Sequence, residues 1–471
     1  STLNTDQYLA MRRTGFKNAA SQYTTPELSN AFDLTKWDQT AYTDFQKLLI
    51  GNTAKTSDAN LSISGGDQRT NFRVSGTFHK EGNVFIGDQG YDRSAVNFNL
   101  QHKSANERFN LGFSAIYATD NNDVSLLDQT SIAYNLPPNY SLYNADGSLY
   151  WSGINYGVPA NPLAQLNQFV SNKGSNLIGN LNLSYRIWKG LSFKSNFGYG
   201  KSDMDQKRLT PKTALDPGLA TSLSNSLFAY NVNNTYSIEP QLDYTTSLYK
   251  GTLSAMIGST WQHSVSKQPS YISASDFSSD EFLENIGSAK TVSISRSNSE
   301  YKYSSIFGRL NYNWAGKYIL NGSFRRDGSS RFAQNSRFGN FGSIGAAWII
   351  SEESFLKSVP FLSFAKLRTS YGWVGNDKIA DYGYFDSYRS NSYVYNGIPS
   401  LVPARLANNL FRWESTAKFE AALELGSLDD RLSLTTAFYS TRSGNQLISQ
   451  KVRSQTGWDI YQANFPAAVD N

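Results

Sequence analysis

The stretch NLIGNLNLSYRIWKGLSFKSNFGYG, residues 176–200, decides the fold. In its first arm Leu177, Gly179, Leu181, Leu183, Tyr185 and Ile187 fall on one side of an extended chain, and Asn176, Asn180, Asn182, Ser184 and Arg186 on the other. Trp188-Lys189-Gly190 turns the chain, after which Leu191, Phe193, Phe197 and Tyr199 oppose Ser192, Lys194 and Asn196. Strand side chains alternate with period two, so this is a hairpin with one apolar and one hydrophilic face. Each arm is about ten residues long, enough for a tilted strand to cross a hydrocarbon layer, whereas strands of soluble proteins centre on about five or six.

The pattern recurs along the chain. Further hairpins are expected at 61–78, 96–117, 238–261, 306–324, 344–373 and 419–438, that at 344–373 passing through a short helical stretch at 352–357. Together they make about fourteen strands. The connections alternate in length: short ones lie near 67, 105, 189, 250, 316 and 429, and long ones run over 80–90, 119–175, 204–224, 265–290, 327–336 and 376–412. An all-β, antiparallel, up-and-down transmembrane β-barrel with tight periplasmic turns and larger outer loops has this rhythm. Residues 1–59 read as a loop-like segment leading into the barrel, with a possible short helix. Residues 60–471 read as barrel strands, with long extracellular loops at 119–175, 204–224, 265–290 and 376–412.

Composition excludes several classes. No stretch approaches the roughly 20 apolar residues of a spanning helix, and the mean hydropathy is −0.46. Hydropathy does not detect barrels, because half of each strand faces water; 14% aromatics beside 35 glycines suit strands with interfacial rings and tight turns. Zero cysteines and three histidines leave no thiolate metal site and little for a zinc centre. A net charge of +5 without a basic block makes nucleic acid a poor partner. No cofactor is expected.

Aromatic placement adds to the barrel reading. Tyr185, Trp188, Tyr249, Tyr312, Trp314 and Tyr318 gather at the short turns, while Phe78, Tyr117, Tyr199, Trp261 and Trp373 sit at the opposite strand ends. Amphipathic rings favour the headgroup region, so two girdles in contact with the bilayer are expected. Fourteen or more strands enclose a space too wide for side chains to fill, so the polar faces point inward. Lys194, Arg309, Lys366, Arg368, Lys418 and Glu420 would then line a wet lumen.

Three motifs carry a resemblance. They are Ser323-Phe324-Arg325-Arg326-Asp327-Gly328-Ser329-Ser330-Arg331-Phe332, then Trp348-Ile349-Ile350-Ser351-Glu352-Glu353-Ser354-Phe355-Leu356, then Lys366 to Asp377 through Tyr371-Gly372-Trp373-Val374-Gly375. With Leu61 to Gly66 and Trp413-Glu414, they resemble the SusC/RagA family of TonB-dependent outer-membrane transporters of Bacteroidetes. The resemblance implies a barrel of about 22 strands with a plug in its lumen. It also implies a SusD-like surface lipoprotein as lid, and import driven by the TonB complex. No TonB box or plug is recognisable in these residues, and the chain reads as an internal piece of a larger transporter.

Nothing argues for catalysis. Asp276, Asp280, Glu281 and Glu284 have the residue types of a glycosidase pair, but a solvated loop or ion contact explains them better. His79, His102 and His263 lie in separate hairpins without ligand spacing. The arginines of the 323–332 motif have local partners within reach. The candidate ligand residues are rings in two long loops: Tyr140, Tyr143, Tyr150, Trp151 and Tyr156 in one, and Tyr382, Tyr384, Phe385 and Tyr388 in the other. Rings stack on the apolar faces of sugars, although packing between loops, or against a lid, uses the same residues. An oligosaccharide or peptide substrate fits equally. The expected function is TonB-dependent import of oligomeric nutrients, glycans foremost. A passive porin-like or structural barrel and a soluble β-rich glycan-binding protein are the alternatives.

Overall fold

The computed structural model describes residues 3–18, 31–87, 89–123, 128–151, 161–219, 223–356, 359, 361–396, 398–465 and 469–470. Its centre is one antiparallel sheet of fifteen strands, each hydrogen-bonded to the next. The first six are β1 (Thr56–Gly66), β2 (Thr70–Gly82), β3 (Gly90–Lys103), β4 (Phe109–Asp123), β5 (Phe169–Trp188) and β6 (Leu191–Thr210). Then come β7 (Asn225–Leu248), β8 (Gly251–Phe277), β9 (Ala289–Trp314), β10 (Tyr318–Ser329), β11 (Phe338–Ile349) and β12 (Leu362–Asn376). A hairpin of β13 (Ser387–Tyr395) and β14 (Ile398–Arg405) leaves the sheet before β15 (Glu414–Ser427) and β16 (Leu432–Gly444) rejoin it. A second hairpin, β17 (Gln446–Lys451) and β18 (Ile460–Phe465), precedes β19 (Val469–Asp470) on the edge of β16.

The seven expected hairpins pair in the order read from sequence, with a register shift between Arg186 and Trp188 at the β5–β6 turn. Leu181 lies opposite Phe197 and Leu183 opposite Ser195 across β5 and β6. Gly190 and Gly316 take the positive φ values of +87° and +70° that close two of these turns, a conformation glycine adopts without steric cost. One row of side chains per strand is apolar and exposed, among them Leu61, Ile63, Ile306, Leu310, Ile344, Leu434 and Phe438. Leu181 and Leu183 are half-buried in their own sheet, and Phe193 and Phe197 are exposed. A continuous apolar surface of this extent marks contact with lipid.

Above the span the strands depart from expectation. The segment read as a loop at 265–290 is largely strand, since β8 runs to Phe277 and β9 starts at Ala289, and the one at 204–224 opens with the end of β6, which runs to Thr210. Lys201, Asp203, Ser264, Ser266, Ser293 and Ser295 occupy both faces there. There the apolar alternation is broken, Val292 and Ile294 apart, while the backbone ladder continues, so the sequence signal weakens before the strand ends. The segment 376–412 likewise holds the β13–β14 hairpin.

Residues before β1 form α1 (Thr5–Asn18), α2 (Phe32–Thr35) and α3 (Phe45–Ile50), and the β4–β5 connection holds α4 (Gln129–Asn135). Asp44 caps α3 by accepting from Lys47 N at 3.0 Å, and Asp128 caps α4 through Thr130 N at 2.9 Å. Trp37, Phe45, Leu49, Ile132, Ala133 and Leu136 form their shared core. Backbone bonds Ile86 N to Leu49 O and Gly82 N to Lys55 O dock this cap on the upper end of β2, opposite the short turns.

In place of the helical stretch expected at 352–357, the described residues hold a 3₁₀ turn at Ile350–Glu352 followed by turns to Leu356, residue 357 lying outside them, and Glu353 holds the connection. Its carboxylate accepts from Tyr318 Oη at 2.7 Å, Lys317 Nζ at 2.9 Å and Trp348 Nε1 at 3.2 Å. Trp314, Tyr318 and Trp348 stand in a row, with ring centres 5.4 and 6.2 Å apart. The Tyr318 hydroxyl first, then Lys317 and Trp348, hold the Glu353 carboxyl down at about 2, against an ordinary 4.5. A depressed folded value means the stabilisation is complete above pH 4.5 and lost as pH falls towards about 2. Acid titration of the assembled barrel, followed by hydrogen exchange at 349–356, is expected to loosen this turn across that window. Glu353→Gln is expected to abolish the pH dependence.

Candidate functional site

The polar rows of the sheet share the concave face. Lys194 Nζ lies 3.2 Å from Asp243, and the two strands bearing them contribute to a recess of about 570 Å³ lined by Asn71, His102, Asn182, Lys194, Glu239 and Gln241. His102 Nδ1 is 2.7 Å from Thr70 Oγ1. On β12 and β15, Arg368 bridges Glu424 at 2.7 Å and Glu420 at 2.5 Å, while Lys366 reaches Glu424 at 3.3 Å. Lys418 continues this row, opposite Gly372. Arg309 lies in the inner row of β9 with Tyr303, Ser305 and Phe307 and is exposed. The structure therefore brings Lys366, Arg368 and Glu420 together as one partly hydrated ion ladder, and leaves Lys194 and Arg309 apart from it.

The long-loop rings divide sharply. Tyr140 is a core residue of the cap, 4% exposed, edge-on to Trp37 at 5.1 Å and 6.0 Å from Tyr150. Trp37 Nε1 donates to Tyr150 Oη at 3.1 Å. Burial, then Tyr150, pushes the Tyr140 hydroxyl up to about 12. The core of the cap buries Tyr140, which corrects its reading as a ligand ring, while Tyr150 is half-buried against it; the sequence suggested at most a short helix before β1. Tyr143, 55% exposed, remains available at the surface; Trp151 is half-buried, and Tyr156 lies outside the described residues.

In the second loop the Tyr384 and Phe385 rings lie 4.1 Å apart, and Arg405 donates to the carbonyls of Tyr382 and Phe385. Tyr382 Oη accepts from Glu300 N at 3.1 Å. Tyr382 and Tyr384 line a cavity with Ile238 and Trp261, which belong to the outward rows, so these two rings flank the barrel wall. Tyr388 is exposed on the β13–β14 hairpin.

Of the rings expected to form girdles, Trp188, Tyr249, Trp314 and Tyr318 are exposed beside the short turns; Trp261 is exposed but lies in the lower half of β8, which runs on to Phe277, and Trp373 is exposed near the upper end of β12. Tyr185 is exposed on β5, and Tyr312 Oη donates to Leu248 O at 3.0 Å.

The 323–332 motif is a clasp whose keystone is Asp377. Its carboxylate accepts from Ser329 Oγ at 2.7 Å and Tyr301 Oη at 2.9 Å, with Arg331 3.8 Å away. Arg331 binds Asp381 at 2.9 Å and lies over the Tyr301 ring. Arg325 binds Asp327 at 2.5 Å and also Tyr303. Two of the three motif arginines are thus paired locally, and Arg326 lies over Phe338. The acidic residues near 280 act as staples: Asp280 accepts from Lys212 N, Glu284 binds Lys207 and Asp276 binds Lys290. Among the described residues no group of three or more His, Asp or Glu side chains is placed to hold a metal.

Residues 119–469 match the family described as TonB dependent receptor-like, beta-barrel. The chain is 29% identical over 434 residues to TonB-dependent receptor P3 of Formosa agariphila, covering 88% of this chain and 42% of that protein. It is 25% identical over 472 residues to TonB-dependent receptor SusC of Bacteroides thetaiotaomicron, covering 92% of this chain and 45% of that protein. The chain thus spans less than half the length of these relatives. The RagAB peptide importer in its open-open state superposes with a TM-score of 0.78 at 23% identity, over all of this chain and 54% of that one. The closed-closed state gives 0.77 at 22% identity, over 98% and 54%. With its hairpin order, lipid-facing rows and polar concave face, the chain belongs to the outer-membrane family of TonB-dependent receptor-like β-barrels, to which the SusC/RagA resemblance of its motifs pointed.

Proposed function

We propose that this chain is the wall and outer loops of a TonB-dependent importer of oligomeric nutrients, glycans foremost, working with a SusD-like surface lipoprotein. The observation that carries the reading is the concave face. Its charged ladder at Lys366, Arg368, Glu420 and Glu424 and its recess around Lys194 are polar and partly hydrated, as the wall of a wide wet lumen must be. The outer edges of β1 and β16 carry backbone groups that lipid cannot satisfy. In the working transporter they pair with strands outside this chain, and a plug fills the lumen. The two rows of outward rings lie at the headgroup levels. Specificity resides in the exposed outer rings, Tyr143, Phe385 and Tyr388 among them.

Uptake of a fluorescent oligosaccharide series and a peptide series by cells carrying the full-length protein tests this. Accumulation of the oligosaccharides is expected to stop when the proton gradient is collapsed or the neighbouring lipoprotein is deleted. Peptide accumulation alone would replace the substrate class, and gradient-independent entry would make the barrel a passive pore.

A further inference from the structure

On the outer flank, where β8 and β9 run past the upper rings, there is a cavity of about 680 Å³. Ile238 and Trp261, paired across β7 and β8, contribute to its lining from the outward rows, with Tyr236 and Phe338. Its charged groups are Lys302, Arg337, His263 and Glu300. Glu300 Oε1 accepts from Lys302 Nζ and lies beside His263 Nε2, each at 2.8 Å. Two permanent cations therefore face one carboxylate. Arg337 Nε is buried and, among the described residues, has no hydrogen-bond partner. A buried donor without an acceptor is costly, and an oxyanion is the acceptor a guanidinium binds best.

The height selects the ligand. Trp261 stands ten residues above the short turn at Gly251, at the upper edge of the span, and Lys302 lies opposite His263, two residues above it. Apolar lining below meets acyl chains, and the cations above meet headgroups. Most of the lining belongs to the lipid-facing rows, away from the lumen where an imported substrate passes. We propose that this cavity binds the phosphate of a phosphorylated glycolipid in the outer leaflet. Lys302 and Arg337 hold the phosphate, while Tyr236, Tyr382 and Tyr384 flank the sugar.

Full-length transporter in phosphatidylcholine nanodiscs, titrated with monophosphorylated lipid A and read by native mass spectrometry, tests the site. One tightly retained lipid is expected per barrel. Lys302→Glu, an exposed position, is expected to weaken retention by at least about tenfold with heat-modifiable gel mobility unchanged, and Arg337→Gln by a similar factor. Dephosphorylated lipid A is expected to bind at least about tenfold more weakly. Equal retention by wild type and Lys302→Glu, or equal binding of the dephosphorylated lipid, overturns the proposal. Displacement by millimolar inorganic phosphate reassigns the site to the free anion. A change of oligomeric state in Lys302→Glu without lipid would make it a protein interface and also overturns it.

Discussion

Replacing Leu310 with arginine is expected to destabilise the assembled barrel by about 2–4 kcal/mol, as for charges placed on the lipid face near the bilayer midplane. Leu310 is 58% exposed on the outward row of β9, between Ala255 of β8 and Gly322 of β10. It stands four residues above Trp314 and six below Ser304, midway up the span. The small flanking residues leave a long cation no polar neighbour on that face, so it must strip its hydration or drag water into the hydrocarbon. Arg309, one residue away, points to the opposite face. Arg309→Gln is expected to change stability by no more than about 0.5 kcal/mol, because the group it alters already stands in water. Unfolding free energies of both full-length variants in lipid vesicles make the comparison. Equal losses would mean that the two faces of β9 are equivalent, and the inside-outside assignment of the whole sheet would fail with them.

That assignment was legible because lipid and water impose opposite demands on successive residues. Wherever both solvents are present, as from Leu177 to Ile187 or from Leu253 to Trp261, the alternation names strand, register and face together. Where both faces meet water, the rule has nothing to read. The upper parts of β6 to β9 mix serine, lysine and asparagine with scattered exposed apolar residues such as Tyr230, Val292 and Ile294, so the alternation above the span is too broken to read. The cap was hidden for another reason. Its core joins Trp37, Phe45 and Leu49 to Ile132, Leu136 and Tyr140, residues about ninety apart that no local period connects. Tyr140 therefore looked like a ligand ring, while its environment was set by helices with weak patterns of their own. The flank cavity is likewise assembled from β7, β8, β9, the 328–338 turn and the 382–384 loop. Such a site exists only once register has aligned Tyr236 with His263 and Trp261 with Ser304.

Phe332→Ala is expected to remove about 3–5 kcal/mol of local stability, the cost of deleting a fully buried aromatic ring together with the cavity left behind. Phe332 is fully buried; its ring centre lies 5.3 Å from Trp413, which packs edge-on to Phe341 at 5.4 Å and donates Nε1 to Arg337 O at 3.0 Å. The site has little freedom to collapse. Gly339 and Gly375 press so closely on Phe341 that even an added Cβ would overlap its ring, and Asp377 fixes Tyr301 and Ser329 beside it. This cluster sits above the hydrocarbon, where water can enter once the ring is gone. The strands below keep both their ladder and their lipid contact. The loss is therefore expected to appear as opening of 376–412, with amide protection there falling at least about 100-fold while β5 to β8 keep theirs. Phe332→Leu, which restores most of the volume, should recover the greater part of that protection. Uniform loss of protection through the barrel would instead make the clasp part of one global folding unit, and the outer loop would have no independent equilibrium through which to admit a substrate.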